Sequence, residues 1–291
     1  MKPKKIKIVV ASGKGGVGKT MLASSLAMLF NLEGKKVVAL DGDVDAPNLA
    51  LWLGGVKKWD KQQKFSTSEK ANIDLKKCNN CQKCLEKCQF NAIKFQNGKI
   101  EINPFLCEGC GVCQIICPQN AIKLKKVKNG IINVKDNFNK IKIVSGQLKI
   151  GETGSGNIIS YLREKAEGNS YDIMIIDSAP GTGCPVIASV KDTNLAILIT
   201  EPTPSGFTDL KRALSVVRFF QIPYKIVINK WDINKKYTLK IEKEFKDNIL
   251  GRISYNQKII KALVDLKPII KTKLKAEKEI RKIYNKIKNL I

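Results

Sequence analysis

The stretch Gly13-Lys14-Gly15-Gly16-Val17-Gly18-Lys19-Thr20 constrains the fold of this 291-residue chain more than any other feature. It fits the pattern G-x-x-x-x-G-K-[ST], and it stands between an apolar run at 6–11 and a helical pattern at 20–33. Glycines in such a loop let backbone N–H groups converge on phosphate oxygens, towards which the helix directs its positive dipole end. The sequence therefore predicts a phosphate-binding loop in which Lys19 neutralises the β and γ phosphates and the Thr20 hydroxyl binds Mg2+.

Apolar runs and helical patterns alternate on both sides of a cysteine-rich region. Further strands are predicted at 37–40, 141–144, 173–176, 195–200 and 225–228, with helices near 156–167, 205–220 and 238–248. Strand, helix and strand in this order form right-handed parallel units. We therefore predict a doubly wound parallel-sheet α/β domain of residues 1–59 and 137–291, interrupted by an insertion at about 60–136.

The insertion contains an internal repeat of cysteines. The spacing C-x2-C-x2-C-x3-C occurs twice, and each position recurs after 107 − 78 = 29 residues. In bacterial-type ferredoxins three cysteines of one run hold a [4Fe-4S] cluster and the fourth reaches the other cluster. The sequence thus predicts two clusters, one held by Cys78, Cys81, Cys84 and Cys117, and one held by Cys107, Cys110, Cys113 and Cys88. Two zinc ions are the alternative, since four cysteines also bind Zn2+.

The second lysine of the glycine-rich loop, Lys14, resembles the signature of the deviant Walker A ATPases, the MinD, ParA, Mrp and nitrogenase iron protein group. The resemblance covers the chain outside the insertion, and the whole is similar to MinD-type ATPases with an inserted α+β bacterial-ferredoxin-like domain. It implies ATP binding and hydrolysis to ADP, and a homodimer in which Lys14 reaches the partner's nucleotide. The loop residues implied to bind the nucleotide are Gly13, Lys14, Gly15, Gly16, Val17, Gly18, Lys19, Thr20 and Met21.

Three further segments follow strands and resemble the other nucleotide motifs of this family. Asp41 would orient or activate the attacking water, and Asp45 would reach the Mg2+ shell. Asp177 would stand at the Walker B position, with Gly181 in the γ-phosphate-sensing second switch. The side chain of Asn229 would contact adenine, although Asn229-Lys230-Trp231-Asp232 also fits the N-K-x-D pattern of GTPases. We favour ATP because Lys14 belongs to the ATPase group.

Composition limits the partners. The formal charge is +26, but the lysines are spread along the whole chain, so we expect an acidic protein partner at most and no nucleic acid. The chain has no histidine, which excludes His-based catalysis and ligation. With no export signal and reduced thiols, we expect a cytoplasmic protein.

Two features leave alternatives open. Residues 273–291 read as a basic amphipathic helix, which we expect to pack on the sheet rather than to bind a membrane surface. Cys184 stands seven residues after Asp177, where the nitrogenase iron protein has a cluster ligand, but we expect an inert thiol.

Two functions remain compatible with these motifs. In the first, nucleotide state gates low-potential electron transfer from the clusters to an unidentified partner protein. In the second, the chain is an ATP-dependent assembly or carrier factor for an iron–sulfur or metal cofactor. The complete ligand sets favour the first function, whereas Cys184 and the resemblance to Mrp favour the second.

Overall fold

The computed structural model describes residues 5–152, 154–168 and 170–291. The strands are β1 (Ile6–Ser12), β2 (Val37–Gly42), β3 (Lys61–Phe65), β4 (Ser68–Ile73), β5 (Ile93–Gln96), β6 (Lys99–Ile102), β7 (Ile122–Val127), β8 (Gly130–Phe138), β9 (Ile141–Leu148), β10 (Ile173–Pro180), β11 (Leu195–Thr200), β12 (Tyr224–Asn229) and β13 (Ile249–Ile253). The helices are α1 (Lys19–Leu32), α2 (Leu49–Trp52), α3 (Lys83–Glu86), α4 (Val112–Ile115), α5 (Ser155–Glu167), α6 (Cys184–Val190), α7 (Pro204–Phe219), α8 (Lys235–Phe245), α9 (Lys258–Val264) and α10 (Lys275–Lys288).

The chain forms two compact units by its internal contacts. Unit 1 comprises Met1–Gln63, Ile132–Gln147 and Ser155–Ile291, and unit 2 comprises Lys64–Ile131 and Leu148–Gly154. The boundaries predicted at 60 and 136 fall beside β3 and within β8. The sequence did not indicate that the segment after β9 groups with unit 2.

Unit 1 is built on a parallel sheet in the order β13-β12-β11-β1-β10-β2-β9. Its central strands are buried on both faces, so they are continuous apolar runs; every residue of β11 is buried. Helix α1 packs on the sheet through apolar residues such as Leu22 and Leu26, which are fully buried. It ends before Gly34, whose φ of 82° stops a helix without strain. The predicted parallel α/β fold is confirmed for this unit.

One edge of the sheet differs from the prediction because it carries two antiparallel strands. Asn139 and Lys140 both have positive φ angles, 53° and 67°, which is the two-residue turn of a β8–β9 hairpin. Strand β3 then pairs with β8, and the Asp60 amide donates to the Val134 carbonyl at 2.9 Å. The polar sequence of β3 gave no strand signal because this edge strand is largely exposed.

Unit 2 reproduces the 29-residue repeat in its structure. Helices α3 and α4 occupy equivalent positions of the two cysteine runs, and each follows a residue with positive φ, Gln82 or Gly111. Strand β4 pairs antiparallel with β7, and β5 pairs antiparallel with β6 through a turn at Asn97-Gly98. A small apolar core that includes Ile93, Ile100 and Ile122 lies among the cysteines.

The C-terminal helix α10 packs on strand β13 and helix α1 within unit 1, as expected. Ile280, Ile283 and Ile287 are buried, and the Tyr284 ring meets Phe30 of α1 edge-on with 4.8 Å between centroids. Leu290, beyond the end of the helix, remains half exposed. No helix in the described part of the chain has the length and apolar character that a membrane crossing requires.

Replacing Ile283 by alanine is predicted to destabilise unit 1, because this side chain is 1% exposed and packs beside Gly251. The cost is expected at about 2 to 5 kcal/mol in chemical denaturation. Lys282→Ala on the exposed face of α10 is the matched control and should change stability by less than about 0.5 kcal/mol. Equal effects of both changes would contradict the packing of α10.

Candidate functional site

The loop between β1 and α1 depends on glycine at two positions. Gly18 has a φ of 99°, and a Cβ atom there would lie 2.5 Å from the Asn229 side-chain nitrogen. A Cβ atom on Gly13 would lie 2.0 Å from the Asp209 carbonyl oxygen of α7. Both positions therefore exclude any larger residue, and the loop keeps its backbone close to helix α7 and to the end of β12.

Asn229, predicted to contact the nucleotide base, is hydrogen-bonded to the glycine-rich loop. Its Nδ2 donates to the Val17 carbonyl at 2.8 Å, and its Oδ1 accepts from the Lys230 amide at 2.9 Å. The side chain is 5% exposed. Asn229 thus joins the end of β12 to the glycine-rich loop, and its contact with adenine stays a prediction.

A lysine and two carboxylates are buried together at the carboxyl edge of the sheet. Asp41 of β2 and Asp177 of β10 are partners in the strand register, and both are 1% exposed. Lys19, the first residue of α1, is 6% exposed. Burial lowers the pKa of Lys19, and the nearby carboxylates of Asp177, Asp43 and Asp41 oppose that shift. Three ionisable groups, each assigned to the nucleotide site by a motif, therefore share one desolvated site.

Asp177 is the member of this site with free coordinating capacity. The Thr20 hydroxyl lies beside it, but neither carboxylate oxygen makes a hydrogen bond of good geometry to any described residue. Burial raises the pKa of Asp177 to about 7, against the attraction of Lys19. A buried carboxylate with unused oxygen lone pairs suits a hard cation with oxygen ligands such as Mg2+. Asp177 and Thr20 therefore fit the predicted metal-binding role.

Asp41 is occupied by the backbone of the segment that follows it. One oxygen accepts from the Leu49 amide at 2.9 Å, and the other accepts from the Asp43 amide at 3.3 Å. Burial raises the pKa of Asp41 well above its usual value, and the charge of Asp177 adds to that shift. Asp41 therefore holds the start of α2 and the loop before it.

Asp43, for which the motifs predicted no role, lies in the loop between β2 and α2 with a half-buried side chain. Burial raises its pKa, and Lys19 opposes the shift, which places the carboxylate within the electrostatic influence of the site. Asp45, predicted to reach the Mg2+ shell, is exposed. The signal for Asp43 was its place in the alternation Asp41-x-Asp43-x-Asp45.

The signature lysine Lys14 is held within its own chain. Its Nζ lies 2.6 Å from Glu201, which follows β11, and 3.3 Å from the Ser205 hydroxyl. Lys230 shares the same carboxylate at 3.0 Å and donates to the Gly16 carbonyl at 3.3 Å. Although burial opposes it, hydrogen bonds from Lys14 and Lys230 keep the pKa of Glu201 below its usual value. No motif predicted Glu201, since its role depends on the ends of two neighbouring strands.

The remaining predicted residues take different places around the loop. Gly181 follows β10 with a φ of 96°, and its amide donates to the Ser12 carbonyl at 2.9 Å, beside the glycine-rich loop. Met21 is buried in α1, so its side chain belongs to the core. Cys184, at the first position of α6, is exposed.

The eight repeated cysteines of unit 2 line two separate cavities. The first cavity is bordered by Cys78, Cys81, Cys84 and Cys117, and the second by Cys88, Cys107, Cys110 and Cys113. Each cavity thus receives three cysteines from one run and the fourth from the other, which is the predicted grouping. Among the described residues, no three Cys, Asp or Glu side chains converge closely enough to hold a single metal ion.

Sequence comparison places this site in a known family. Residues 8–269 match the family described as the CobQ/CobB/MinD/ParA nucleotide binding domain. The chain belongs to this family. A 41% identical protein of Methanocaldococcus jannaschii, described as uncharacterized, aligns over 98% of both chains. The iron-sulfur cluster carrier protein of the same organism is 26% identical over 97% of this chain and 84% of its own length.

Solved structures of MinD share the fold. The septum site-determining protein MinD of Pyrococcus horikoshii, complexed with Mg-ADP, superposes with a TM-score of 0.63 at 18% identity, covering 99% of this chain and 97% of that one. The cell division ATPase MinD of Pyrococcus furiosus has the same TM-score and covers 99% of this chain. The parallel-sheet nucleotide-binding fold expected from the resemblance is thereby confirmed.

Asp177 is predicted to make Mg2+-dependent nucleotide binding sensitive to pH. Its folded pKa is raised to about 7, so the carboxylate is protonated below that value and becomes a metal ligand as the pH rises through it. The gain in ADP affinity on adding Mg2+ should therefore increase up to about tenfold per pH unit below 7 and level off above. Calorimetric titration with and without Mg2+ measures this gain.

The variant Asp177→Asn provides the control, because the pH dependence of the Mg2+ effect should disappear in it. The pH dependence of folding stability has the opposite sign to that of the Mg2+ effect. A raised carboxyl pKa stabilises the nucleotide-free protein at low pH, and that contribution is lost as the pH rises through about 7. An Mg2+ effect with the same pH profile in both proteins would contradict the role of Asp177.

Proposed function

We propose that this chain is an ATP-dependent iron–sulfur protein that carries clusters to acceptor proteins. The observation that carries the proposal is the grouping of eight cysteines around two cavities in a chain with a MinD-type nucleotide site. Relatives along nearly the whole chain are named iron-sulfur cluster carrier proteins, which favours this function over electron transfer.

The cysteine cavities support two [4Fe-4S] clusters better than two zinc ions. A tetrahedral zinc site needs its sulfur atoms about 2.3 Å from one point, and the described side chains do not converge in that way. A four-iron cluster fills the space between its four thiolates, and its ligands come from both runs. We therefore propose a ferredoxin-like insertion, predicted at residues 60–136, whose ligands are the two sets of four cysteines.

At the nucleotide site, each residue has a role that its environment supports. Amide groups of residues 13–18 and the Lys19 ammonium would bind the phosphates, while Thr20 and Asp177 would hold Mg2+. The bound metal would supply charge stabilisation for phosphate displacement. Asp43 would position the attacking water and accept its proton, because the Asp41 oxygens, expected to do this, are engaged by backbone amides.

We propose further that two chains pair with nucleotide at their interface. The resemblance implies that Lys14 reaches the partner's nucleotide, whereas in the single chain Glu201 holds it. Pairing would therefore exchange the contact with Glu201 for a phosphate contact. This exchange gives hydrolysis a dependence on assembly, and it supports a slow rate without a partner.

Asp43→Asn is predicted to lower the steady-state ATP hydrolysis rate by about 10²-fold, the scale of a lost general base. ADP affinity should change little, because the Asp43 carboxylate accepts its backbone hydrogen bond from the Ala46 amide of its own loop, at 3.4 Å, and not from the glycine-rich loop. Asp41→Asn should instead lower thermal stability, since it weakens hydrogen bonds to the Asp43 and Leu49 amides. Asp45→Asn is the matched control on the exposed position. A larger rate loss in Asp41→Asn at unchanged stability would assign the water to Asp41.

A second candidate, ATP-gated electron transfer, rests on the completeness of the cysteine sets. Four cysteines border each cavity, and this leaves no open ligand position through which a cluster would exchange. Tightly held clusters suit one-electron transfer at low potential. The two candidates differ in whether iron leaves the chain.

The deciding experiment uses the full chain, reconstituted without oxygen. Its ATP hydrolysis rate is compared with clusters oxidised, reduced and absent, while apo-aconitase serves as an acceptor and the iron in each protein is followed. The carrier function predicts that aconitase is activated only with ATP and that this chain loses a matching amount of iron. Its ATP hydrolysis rate should be the same with oxidised and with reduced clusters. Retained iron and a redox-dependent rate would overturn it in favour of electron transfer. Cys184→Ser tests whether the exposed thiol of unit 1 takes part in the transfer.

A further inference from the structure

We infer that the two cysteine sites of unit 2 are unequal, so that the cluster bordered by Cys78, Cys81, Cys84 and Cys117 accepts the first electron. The inference rests on the proposed clusters, and it adds an order of reduction that the repeat alone does not predict. We call these four residues site A, and Cys88, Cys107, Cys110 and Cys113 site B.

The repeat shows where the two runs differ. At positions 29 residues apart, charged residues around the first run are replaced by apolar residues around the second. The pairs are Lys76 and Phe105, Lys77 and Leu106, Lys83 and Val112, Glu86 and Ile115, and Lys87 and Ile116. The two runs therefore share their cysteines, but charged residues flank the first run where apolar residues flank the second.

These apolar replacements are not required by the core. Phe105 is 72% exposed and Ile115 is 83% exposed, whereas the apolar core of unit 2 lies among Ile93, Ile100 and Ile122. Val112 lines the site B cavity at the position where Lys83 lines the site A cavity. The two sites thus differ in side-chain charge next to the ligands, where such a charge influences how easily a cluster is reduced.

The charges near the two sites favour reduction at site A. Lys83 lines its cavity, and Lys76 and Lys77 immediately precede Cys78. Asp74, whose carboxylate accepts from the Lys76 amide, offsets one of them, which leaves a formal sum of +2. Site B has Lys87 in its cavity wall and Glu108 directly after Cys107, which cancel formally. Reduction adds one negative charge to a cluster, so nearby cations stabilise the reduced form.

Hydrogen bonds to sulfur act in the same direction. At site A the Asn80 amide donates to Cys78 Sγ at 3.4 Å, and the Ala121 amide donates to Cys117 Sγ at 3.3 Å. At site B the Ala71 amide donates to Cys107 Sγ at 3.3 Å. The Gln114 amide lies at the Cys113 sulfur, as its repeat counterpart Leu85 does at Cys84 of site A, so this last contact does not distinguish the sites. Donors to ligand sulfur raise the reduction potential because they stabilise the added electron density.

The electron sequence follows from these two differences. One electron from an external one-electron donor converts the site A cluster from the 2+ to the 1+ state. A second electron converts the site B cluster at a lower potential. When the doubly reduced chain meets an oxidant, site B is the stronger reductant and gives up its electron first if both clusters are equally accessible.

The test is an anaerobic redox titration of the full chain with dithionite, followed by electron paramagnetic resonance and by iron and sulfide content. We expect two resolved one-electron steps. The double variant Lys83→Val/Val112→Lys exchanges the charge between the cavities, so it should bring the two steps together. Lys94→Val is the matched control, because Lys94 lines neither cavity and its repeat counterpart is also lysine.

The outcomes separate this inference from the proposed function. Eight irons per chain with a single unresolved reduction step, or steps that move apart in the double variant, would overturn the order of reduction and leave the clusters in place. A chain that holds no [4Fe-4S] cluster after reconstitution would overturn the proposed function itself. Added salt should also reduce the difference in potential between the two reduction steps, because ions screen the charges of exposed lysines.

Discussion

The burial of Lys19 with Asp41 and Asp177 is the constraint on which the nucleotide site depends. Ionisable groups taken out of water are costly unless they are paired, and one ammonium does not satisfy two carboxylates. The structure meets this cost in two ways. Asp41 accepts two backbone hydrogen bonds, and burial raises the pKa of Asp177 to about 7, so its carboxyl group is easily protonated. A site of this kind is stabilised by what it binds, because phosphates and a divalent cation complete the pairing of its charges.

Much of the fold was predictable because parallel strands and their loops leave strong local signals. Strand β11 has the predicted bounds, and the other five predicted strands, β1, β2, β9, β10 and β12, agree within a few residues at each end. The strand β3 was not predictable, since its residues are polar and its partner β8 is distant in sequence. Edge strands with exposed lysines avoid pairing with other chains, and that function removes the apolar alternation by which strands are recognised.

The candidate site was predictable where spacing determines chemistry and unpredictable where burial does. The grouping of Cys117 with the first run and Cys88 with the second follows from cysteine spacing, and the cavities have this composition. The division of roles between Asp41 and Asp43 depends on which carboxylate meets backbone amides, and no motif encodes that. Likewise, Glu201 meets Lys14 only because β11 and β1 are neighbours in the sheet.

The pairing of β3 with β8 has a consequence for how such a chain arises. The polypeptide leaves the sheet near residue 63 and returns near residue 132 on an adjacent strand, and β4 and β7 are also paired, from Ser68 with Val127 onwards. Closing a loop of 68 residues in place of a four-residue turn costs about 2.5 kcal/mol of chain entropy, before the folding of the loop itself brings its ends together. A lineage of nucleotide-binding proteins is therefore free to gain, exchange or lose a module at this point without moving a strand of the parallel sheet.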